Sequence, residues 1–447
     1  MDRRTFTLSS LAATGAVLTK SGMAKDSKPT AALIGCGWFG GVCEASLVQY
    51  AGVEFVTLCD PNAQAIKATK AQLAKIQKTI PKTFTNYRRA LESRHHDIVV
   101  VATPDHWHAL PAIAAMQAGA DVFLEKPVSL DVIEGEALVA AARKYNRVVQ
   151  VNTHRRSNPH LAEARDKYLR SGRIGKLGLV ETYSFLGGRL NEVLPETPAP
   201  PYLDYDLWTG PAPARPFRQG IDARRWRAFK EYGNGQMGDL GVHMVDCVRW
   251  MLGLGWPTSI QSHGGIYVDN DGSSNVSDTQ FASFRFPEVE VTWQHRTWGA
   301  KPIPERHWTD LWGAKLIGDK GTLNVTMVSY DFTPADGGPI EGFNMMSKTG
   351  NLGNLDFDTF TDAYAAVQRA HVLDFMKAIQ TRARPIADIE EGHISTACCI
   401  LANLSDELGR GMRYDPKTRS VVGDDEATRR LARAYRAPWV HPDPTNV

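Results

Sequence analysis

The feature that most constrains this chain is a glycine-rich turn between a short apolar run and a helical pattern. The run PTAALI (29–34) leads into GCGWFG (35–40), which has the spacing GxGxxG. A second apolar run, Glu54–Cys59, ends in Asp60, about twenty residues beyond the last glycine. Strand, turn, helix, strand and terminal carboxylate in this order predict a dinucleotide-binding βαβ unit.

The three glycines of this turn meet different physical needs. Gly35 permits the tight turn, Gly37 lets a pyrophosphate approach the backbone, and Gly40 lets the helix pack closely on the strand. The N-terminus of the helix would face the phosphate charge. The predicted cofactor-binding loop therefore comprises Gly35, Gly37, Trp38, Phe39 and Gly40.

Asp60 indicates which dinucleotide is bound. A carboxylate at this position accepts hydrogen bonds from the two hydroxyls of the adenosine ribose and repels a 2′-phosphate. No arginine or lysine follows until Lys67. The sequence therefore favours NAD over NADP as the cofactor.

Strands and helices continue to alternate after this unit. DIVVVATP (97–104) is a buried strand with a turn, a glycine-ended helical pattern covers 105–119, and DVFLEKP (121–127) is the next strand. Such alternation predicts an α/β domain with a doubly wound parallel sheet, whose ligands gather at the carboxyl ends of the strands.

Composition limits the remaining possibilities. The chain of 447 residues is long enough for roughly two or three domains, and a net charge of +2 gives no electrostatic case for nucleic acid or an anionic membrane. None of the six cysteines forms a CxxC or zinc-like spacing, so we expect buried free thiols. His106 and His108 suggest a metal pair, but no third ligand stands at a convincing spacing, so we expect no metal.

The first residues have the pattern of an export signal. Arg3 and Arg4 precede a hydrophobic residue and a weakly apolar stretch, Leu8–Leu18, and small residues lead to Ala24. This pattern is typical of a twin-arginine signal, whereas the alternative is a disordered basic tail. We expect residues 1–24 to be a signal peptide and the mature protein to be periplasmic. No later apolar run approaches the ~20 residues of a membrane span.

Further motifs occur in an order that resembles the Gfo/Idh/MocA oxidoreductases. They are ATPDHWHA (102–109), EKP (125–127), GDLGVHMVD (238–246), GDKGTL (318–323) and AHVLDFMKAI (370–379). The closing segment, 423–440, resembles a large exported subgroup. The resemblance covers nearly the whole mature chain.

The resemblance implies a Rossmann domain followed by an α+β domain with a large, open, mainly antiparallel sheet. VEVTWQH (289–295) alternates apolar and polar residues, as a half-solvated strand should. We expect the NAD-binding domain at 28–155, the substrate and oligomerisation domain at 156–370, and C-terminal helices and a tail packing back on the first domain at 371–447. The open sheet face commonly forms oligomer contacts in this family, which implies a homodimer or homotetramer.

A carboxylate, a histidine and a lysine form the predicted catalytic set. A helical pattern from about Asp239 to Leu252 places Asp239 and His243 on one face. Oxidation of a secondary alcohol requires a base tuned near neutral pH, and histidine is the usual choice. Taken singly, Asp239 could cap a helix, His243 could be a core histidine and Lys126 a surface lysine. By resemblance, His243 is the acid/base, Asp239 is its orienter and a substrate ligand, and Lys126 stabilises alkoxide charge on the substrate oxygen.

The resemblance also implies residues around the cofactor and the substrate. Those on the cofactor path are Thr103, Pro104, His106, Glu125, Lys126 and Asn152. Pro127 indicates a rigid turn, cis or trans, that fixes Lys126. Aromatic faces with hydrogen-bonding groups suit a sugar ring, although the alternative for 224–234 is a basic, solvated loop with one core tryptophan. The predicted substrate ligands are Lys126, Arg155, Trp226, Tyr232, Asn234, Asp239 and His243.

Three functions remain open at this point. The first is an NAD-dependent oxidoreductase for a secondary alcohol of a sugar or glycoside, which holds and recycles its cofactor because nothing regenerates free NAD outside the cytoplasm. The second is an NAD-dependent glycosidase that oxidises, eliminates and re-reduces within one turnover; the glycosidase relatives depart from the EKP pattern, which favours the first. The third is a non-catalytic sugar- and dinucleotide-binding protein, against which the intact Lys126, Asp239 and His243 argue.

Overall fold

The computed structural model describes residues 28–186, 193–270, 272–300, 308–347 and 360–447. The expected signal peptide, 1–24, lies outside the described residues. Within the described ranges, no helix combines the length and the apolar character that crossing a membrane requires. All six cysteines are buried free thiols, as expected.

The first part of the chain alternates between strands and helices. They are β1 (Thr30–Ile34), α1 (Trp38–Ala51), β2 (Glu54–Cys59), α2 (Ala63–Leu73), β3 (Lys82–Phe84), α3 (Tyr87–Glu92), β4 (Ile98–Val101), α4 (Ala109–Gln117), β5 (Asp121–Leu124), α5 (Val132–Lys144) and β6 (Val149–Val151). The strands pair in parallel in the order β3-β2-β1-β4-β5-β6. The predicted doubly wound sheet is confirmed, and its strand order reverses between β1 and β4.

The apolar strands of this sheet are buried on both faces. In β4, Val99 and Val101 pack in one hydrophobic cluster with residues of α4 and α5. Ile98 and Val100 point to the opposite face and pack with residues of α1 and the C-terminal part of the chain. Helices on both faces explain why the strands lack polar alternation. The ends of β1 and β4 therefore meet at one edge, where the strand order reverses and ligands bind.

In the described residues of the second domain, an eight-stranded sheet is accompanied by three α-helices. Its elements are α6 (Pro159–Ala164), β7 (Leu177–Ser184), α7 (Tyr205–Thr209), α8 (Val242–Leu252), β8 (Ser259–Gly265), β9 (Thr279–Arg285), β10 (Glu290–Arg296), β11 (Trp312–Gly318), β12 (Gly321–Thr326), β13 (Ser329–Pro334) and β14 (Glu341–Asn344). The order is β14-β13-β12-β11-β7-β10-β9-β8, antiparallel except for the parallel pair β7 and β10. In β10, Val291, Trp293 and His295 are buried, while the alternate residues are partly exposed. This agrees with the expected open, mainly antiparallel sheet.

The C-terminal part of the chain returns to the first domain. Its elements are α9 (Phe360–Thr381), α10 (Ile389–Leu408), β15 (Tyr414–Asp415), β16 (Ser420–Val421) and α11 (Asp425–Arg429). Helix α9 packs on α1, and α10 lies against α5, α8 and β8. Beyond α11, Trp439 packs edge-on against Trp107, and Nε2 of His441 lies 2.8 Å from Oδ2 of Asp131. These contacts hold the tail against the first domain.

Candidate active site

A cavity of about 870 Å³ lies between the two domains, at the carboxyl ends of the parallel strands. The glycine turn, Asp60 and the turns after β4, β5 and β6 form its first-domain wall. The opposite wall includes residues 222–227, the start of α8 and Trp312 of β11. The cavity therefore joins the predicted dinucleotide site to groups of the second domain.

The glycine turn has the backbone geometry that a dinucleotide requires. Gly35 has a φ of +97°, and a Cβ there would lie 2.5 Å from the carbonyl oxygen of Ala102. A Cβ on Gly40 would lie 2.1 Å from the carbonyl oxygen of Gly35, so α1 packs directly on the turn. Gly37 has open space where a Cβ would point, and no side chain caps the N-terminus of α1. Backbone N–H groups at this end are thus available to a phosphate.

Asp60 closes the adenosine end of the cavity. Its carboxylate accepts a hydrogen bond from the backbone N–H of Cys36 at 2.7 Å and from that of Asn62 at 2.8 Å. Burial raises the pKa of Asp60 to about 6, although these two hydrogen bonds lower it. The group remains a carboxylate near neutral pH, as the recognition of ribose hydroxyls requires.

The EKP turn places two polar groups at the end of β5. The carboxyl of Glu125 accepts hydrogen bonds from Nδ2 of Asn152 and from the thiol of Cys43. Burial raises the pKa of Glu125. The Lys126–Pro127 peptide bond is cis. Glu125, Lys126 and Asn152 all line the cavity, so the ends of β5 and β6 contribute to a single wall.

Lys126 forms an ion pair with the second domain. Its Nζ donates to Oδ1 and to the backbone carbonyl oxygen of Asp239, each at 2.7 Å. Oδ1 of Asp239 also lies 3.2 Å from Nε of Arg227. One carboxylate therefore joins two cations beside the cavity, and the pair is largely shielded from solvent.

His243 lies in the same wall and is 5% exposed. Its ring contacts His154 and Trp312, with ring centroids 5.4 Å and 5.2 Å apart. No protein group among the described residues hydrogen-bonds to Nδ1 of His243. Burial, together with the charge of Lys126, holds the pKa of His243 well below its usual range. The imidazole is therefore neutral near pH 7 and able to accept a proton.

The segment that carries Asp239 is wound more widely than the sequence predicts. The predicted α-helix from about Asp239 to Leu252 begins instead with a π-helical turn, Met237–Gly241, before α8. Asp239 is flanked in this turn by Gly238, and a Cβ on Gly238 would lie 2.4 Å from Cβ of Asn234. The wide turn thus depends on glycine, and single π-helical turns are frequent at functional sites.

A segment of the second domain, residues 202–224, crosses over the adenosine end of the cavity; we call it the strap. Nδ2 of Asn62 donates to Oδ2 of Asp222 at 2.9 Å, and the backbone N–H of Ala63 donates to the carbonyl oxygen of Tyr202 at 2.9 Å. The guanidinium of Arg224 lies 4.3 Å from the ring centroid of Trp38. The strap therefore contacts the first domain both beside Asp60 and beside the glycine turn.

Comparison with known families decides the classification. The model of an oxidoreductase family with an NAD-binding Rossmann fold matches residues 30–153. The model of the C-terminal alpha/beta domain of the same family matches residues 182–273 and 354–441. The chain belongs to the Gfo/Idh/MocA oxidoreductase family. The resemblance read from the motifs is confirmed for the family and for NAD as the cofactor of its first domain, while the exported subgroup stays a prediction.

Known members of the Gfo/Idh/MocA family differ in activity. The chain is 29% identical to a levoglucosan dehydrogenase of Pseudarthrobacter phenanthrenivorans over 38% of this chain and 36% of that protein. It is 37% identical to a glycosyl hydrolase family 109 protein of Stenotrophomonas maltophilia over 28% of this chain and 29% of that protein. The matches thus span about a third of the length of these relatives. The crystal structure of an aldose-aldose oxidoreductase from Caulobacter crescentus has a TM-score of 0.62 at 18% identity, covering 87% of this chain and 100% of that chain.

The structure brings most of the predicted site residues of this family member to the cavity. Gly40 lies behind the turn, where it allows close packing. The predicted residues that line the cavity are Gly35, Gly37, Trp38, Phe39, Asp60, Thr103, Pro104, Glu125, Lys126, Asn152, Trp226, Asp239 and His243. Besides Gly40, four predicted residues are not in its wall: His106, Arg155, Tyr232 and Asn234.

Tyr232 and His106 pack behind the cavity wall. Tyr232 is fully buried, and its ring packs against Trp208 and His106 at centroid distances of 4.9 Å and 5.1 Å. Nε2 of His106 lies 3.1 Å from the carbonyl oxygen of Trp208. Tyr232 and His106 thus form a small core with Trp208 of the strap, and their rings support the cavity wall from behind.

Arg155 and Asn234 also lie outside the cavity wall. Arg155 is 1% exposed, and its guanidinium lies 4.1 Å from the ring centroid of Trp312. It therefore supports an aromatic residue that itself lines the cavity. Nδ2 of Asn234 donates to the carbonyl oxygen of Leu130 at 3.1 Å, which joins the two domains outside the cavity.

Asp105, Arg227 and Trp312 are among the cavity residues that the sequence did not single out. Asp105 lies inside the ATPDHWHA motif, and Arg227 lies in the basic loop beside Trp226. Both belong to segments in which other residues were predicted to bind the cofactor or the substrate. Trp312 comes from β11 and had no signal in the sequence. Its place beside His243 depends on the pairing of β11 with β7, which brings distant segments together.

Proposed function

We propose that this protein is an NAD-dependent oxidoreductase that acts on a secondary alcohol of a sugar or glycoside and retains its cofactor. The observation that carries the proposal is the Lys126–Asp239 ion pair beside the buried, neutral His243, in a cavity that continues to the glycine turn. A cation to hold an oxygen and a neutral base to take its proton are the two groups that alcohol oxidation needs.

The chain's own residues divide this chemistry between them. The substrate hydroxyl binds at Nζ of Lys126, whose positive charge stabilises the alkoxide that develops as the O–H bond weakens. The imidazole of His243 accepts the proton, because its lowered pKa keeps it neutral. Asp239 holds the ammonium of Lys126 in position by its 2.7 Å contact. NAD, when bound against the glycine turn and Asp60, supplies the acceptor for the hydride.

A sugar or glycoside is the substrate class that fits this site best. The rings of Trp226 and Trp312 line a cavity whose wall also holds polar groups near the proposed reacting centre, namely Lys126, Arg227, Asp105, Glu125 and Asp239. Such a surface matches a ring with apolar C–H faces and hydroxyl edges. The levoglucosan dehydrogenase and the aldose-aldose oxidoreductase, both named for sugar chemistry, support this class.

The strap supports retention of the cofactor between turnovers. It contacts the first domain beside Asp60 and beside Trp38, which are the two ends of the predicted adenosine and pyrophosphate site. Release of NAD would therefore require these contacts to open. A retained cofactor must be re-oxidised in place by a second substrate, which gives sugar–sugar oxidoreduction without free NAD.

Export by the twin-arginine route is part of the same proposal. The arginine pair Arg3-Arg4 at the start of the sequence supports it, as do six buried thiols with no disulfide. Folding around NAD before export would load the cofactor, and retention would keep it. Fractionation of cells that express the full chain tests this step: replacing Arg3 and Arg4 together by lysine should leave the protein in the cytoplasm.

The first experiment measures retained cofactor and turnover together. The protein is desalted and denatured, and nicotinamide nucleotide is assayed in the supernatant; we expect about one NAD per chain. The native protein is then incubated with a panel of aldoses in pairs, without added NAD, and products are separated by chromatography. Formation of an oxidised and a reduced sugar supports the proposal, whereas an empty protein with no turnover of the panel overturns it.

A second candidate is a glycosidase that works by transient oxidation. Its support is the similarity to a glycosyl hydrolase family 109 protein. Release of nitrophenol from nitrophenyl glycosides without added NAD, with no net oxidised sugar, would favour this candidate over the first.

We also propose that the open face of the eight-stranded sheet forms a homodimer or homotetramer, which light scattering on the purified protein tests.

A further inference from the structure

One carboxyl group in the active-site cavity has no role in the proposed chemistry. Asp105 follows Pro104 in the turn after β4, and its side chain lines the cavity although the residue is only 4% exposed. Within the described parts of the chain, its carboxyl oxygens have no hydrogen-bonding or ion-pairing group; nearby charges act on it only at longer range. A buried carboxyl without a hydrogen-bonding partner lowers the stability of the folded protein. A ligand that forms hydrogen bonds with this carboxyl would therefore gain binding free energy.

The surroundings of this carboxyl suit one edge of a sugar ring. Oδ2 of Asp105 and the ring of Trp226 both face Gly233, where an added Cβ would lie 3.4 Å from the oxygen and 3.1 Å from the ring. A side chain at position 233 would therefore crowd both groups. Trp226 lines the cavity beside this carboxyl with the guanidinium of Arg227 4.1 Å from its ring centroid, and Asp105 offers oxygen atoms for a sugar hydroxyl.

We propose that Asp105 binds a hydroxyl of the sugar other than the one that is oxidised, and that it thereby determines which sugars the enzyme accepts. This assignment rests on the proposed function. Lys126, Asp239 and His243 act at the reacting oxygen, whereas Asp105 reads a second position on the same ring.

The protonation state of Asp105 fits this role. Burial raises its pKa to about 8; Lys126, Arg227 and Arg433 lower the pKa, and Asp239 raises it. Near neutral pH the carboxyl is mostly in its acid form, which can donate one hydrogen bond and accept others. A sugar hydroxyl also donates and accepts, so the neutral acid can pair with it in both directions.

The test compares variants of Asp105 on a sugar and on analogues that lack single hydroxyls. The panel of hexoses identifies the sugar with the highest kcat/KM, and its monodeoxy analogues are then assayed with wild type, Asp105→Ala and Asp105→Asn. We expect Asp105→Ala to lower kcat/KM for the parent sugar about tenfold, mainly through KM. For the monodeoxy analogue that lacks the hydroxyl bound by Asp105, wild type and Asp105→Ala should have the same kcat/KM. Asp105→Asn should remain close to wild type, because the amide is neutral and of the same shape.

The matched control is Asp166→Asn, which neutralises a carboxylate on the surface that pairs with Arg170 and should change neither constant. Equal preferences of wild type and Asp105→Ala across all monodeoxy analogues would overturn the assignment. A wild-type protein that neither turns over nor binds any hexose of the panel, with binding measured by calorimetry, would overturn the proposed function and with it this assignment. The two failures are distinguishable because the first occurs in an active enzyme.

Discussion

The Nζ atom of Lys126 lies 2.7 Å from both Oδ1 and the backbone carbonyl oxygen of Asp239, so one ammonium group joins the two domains beside the cavity. In Lys126→Met the substrate oxygen loses its cation, and we expect kcat to fall about a hundredfold to a thousandfold. Initial rates with saturating sugar measure the effect. Lys315→Met, which removes a half-exposed lysine that lies near Glu181, is the control. Near-normal kcat in Lys126→Met would contradict the assigned role.

The pH dependence of the reaction reports the state of His243. Oxidation requires the neutral imidazole, and its pKa lies well below the usual value. As pH falls, kcat/KM should therefore stay constant through about pH 6.5 and decline only at lower pH. The charge of Lys126 is one cause of the lowered pKa, so residual activity of Lys126→Met should decline at a higher pH than that of wild type. If kcat/KM declined at the same low pH in both proteins, the charge of Lys126 would not influence the pKa of His243.

The strap contacts predict a specific effect on cofactor release. Asp222→Ala removes the hydrogen bond to Nδ2 of Asn62, while Oδ1 of Asn62 continues to cap α2. We expect NAD to dissociate about fivefold to tenfold faster, measured as nucleotide remaining on the protein after timed gel filtration. Glu196→Ala, which breaks an ion pair with Arg218 away from the first domain, should retain NAD as wild type does. Unchanged retention in Asp222→Ala would mean that the strap does not limit release.

The buried carboxyl of Asp105 predicts a pH-dependent gain in stability on substitution. Its pKa in the folded protein is raised to about 8, so the stability of wild type is highest below the unfolded-state pKa of about 4, falls as pH rises from about 4 to about 8, and then levels off. Asp105→Asn has no such loss. We expect its Tm to match wild type near pH 4, to exceed it by a margin that grows up to about pH 8, and to keep that margin at higher pH. Parallel Tm curves would show that Asp105 titrates normally.

The first domain was predictable because its elements are specified locally. The strand Glu54–Cys59 agrees with its predicted bounds, since an apolar run buried between helix layers needs no distant residue to define it. The glycines at 35 and 40 were likewise interpretable, because each is required by a contact within its own βαβ unit. Lys126 and Asp239 were chosen from motifs 113 positions apart, and the structure places them in direct contact.

The substrate side was less predictable because it depends on long-range packing. Tyr232 and Asn234 occur in the loop that also carries Trp226, but only Trp226 faces the cavity. Which member of such a loop faces a ligand is decided by the aromatic cluster beneath it, not by local pattern. Arg155 lies outside the cavity wall for a similar reason, because its guanidinium packs on the ring of Trp312, which belongs to β11 of the second domain.

The six buried thiols have a practical consequence for observing the strap in motion. Maleimides react with accessible thiolates, and every native thiol is shielded from solvent. Ala214 lies exposed within the strap, so Ala214→Cys would introduce a single reactive site into an otherwise unreactive background. A fluorophore attached there would turn opening and closing over the adenosine end into an optical signal, on a protein whose native cysteines need no replacement.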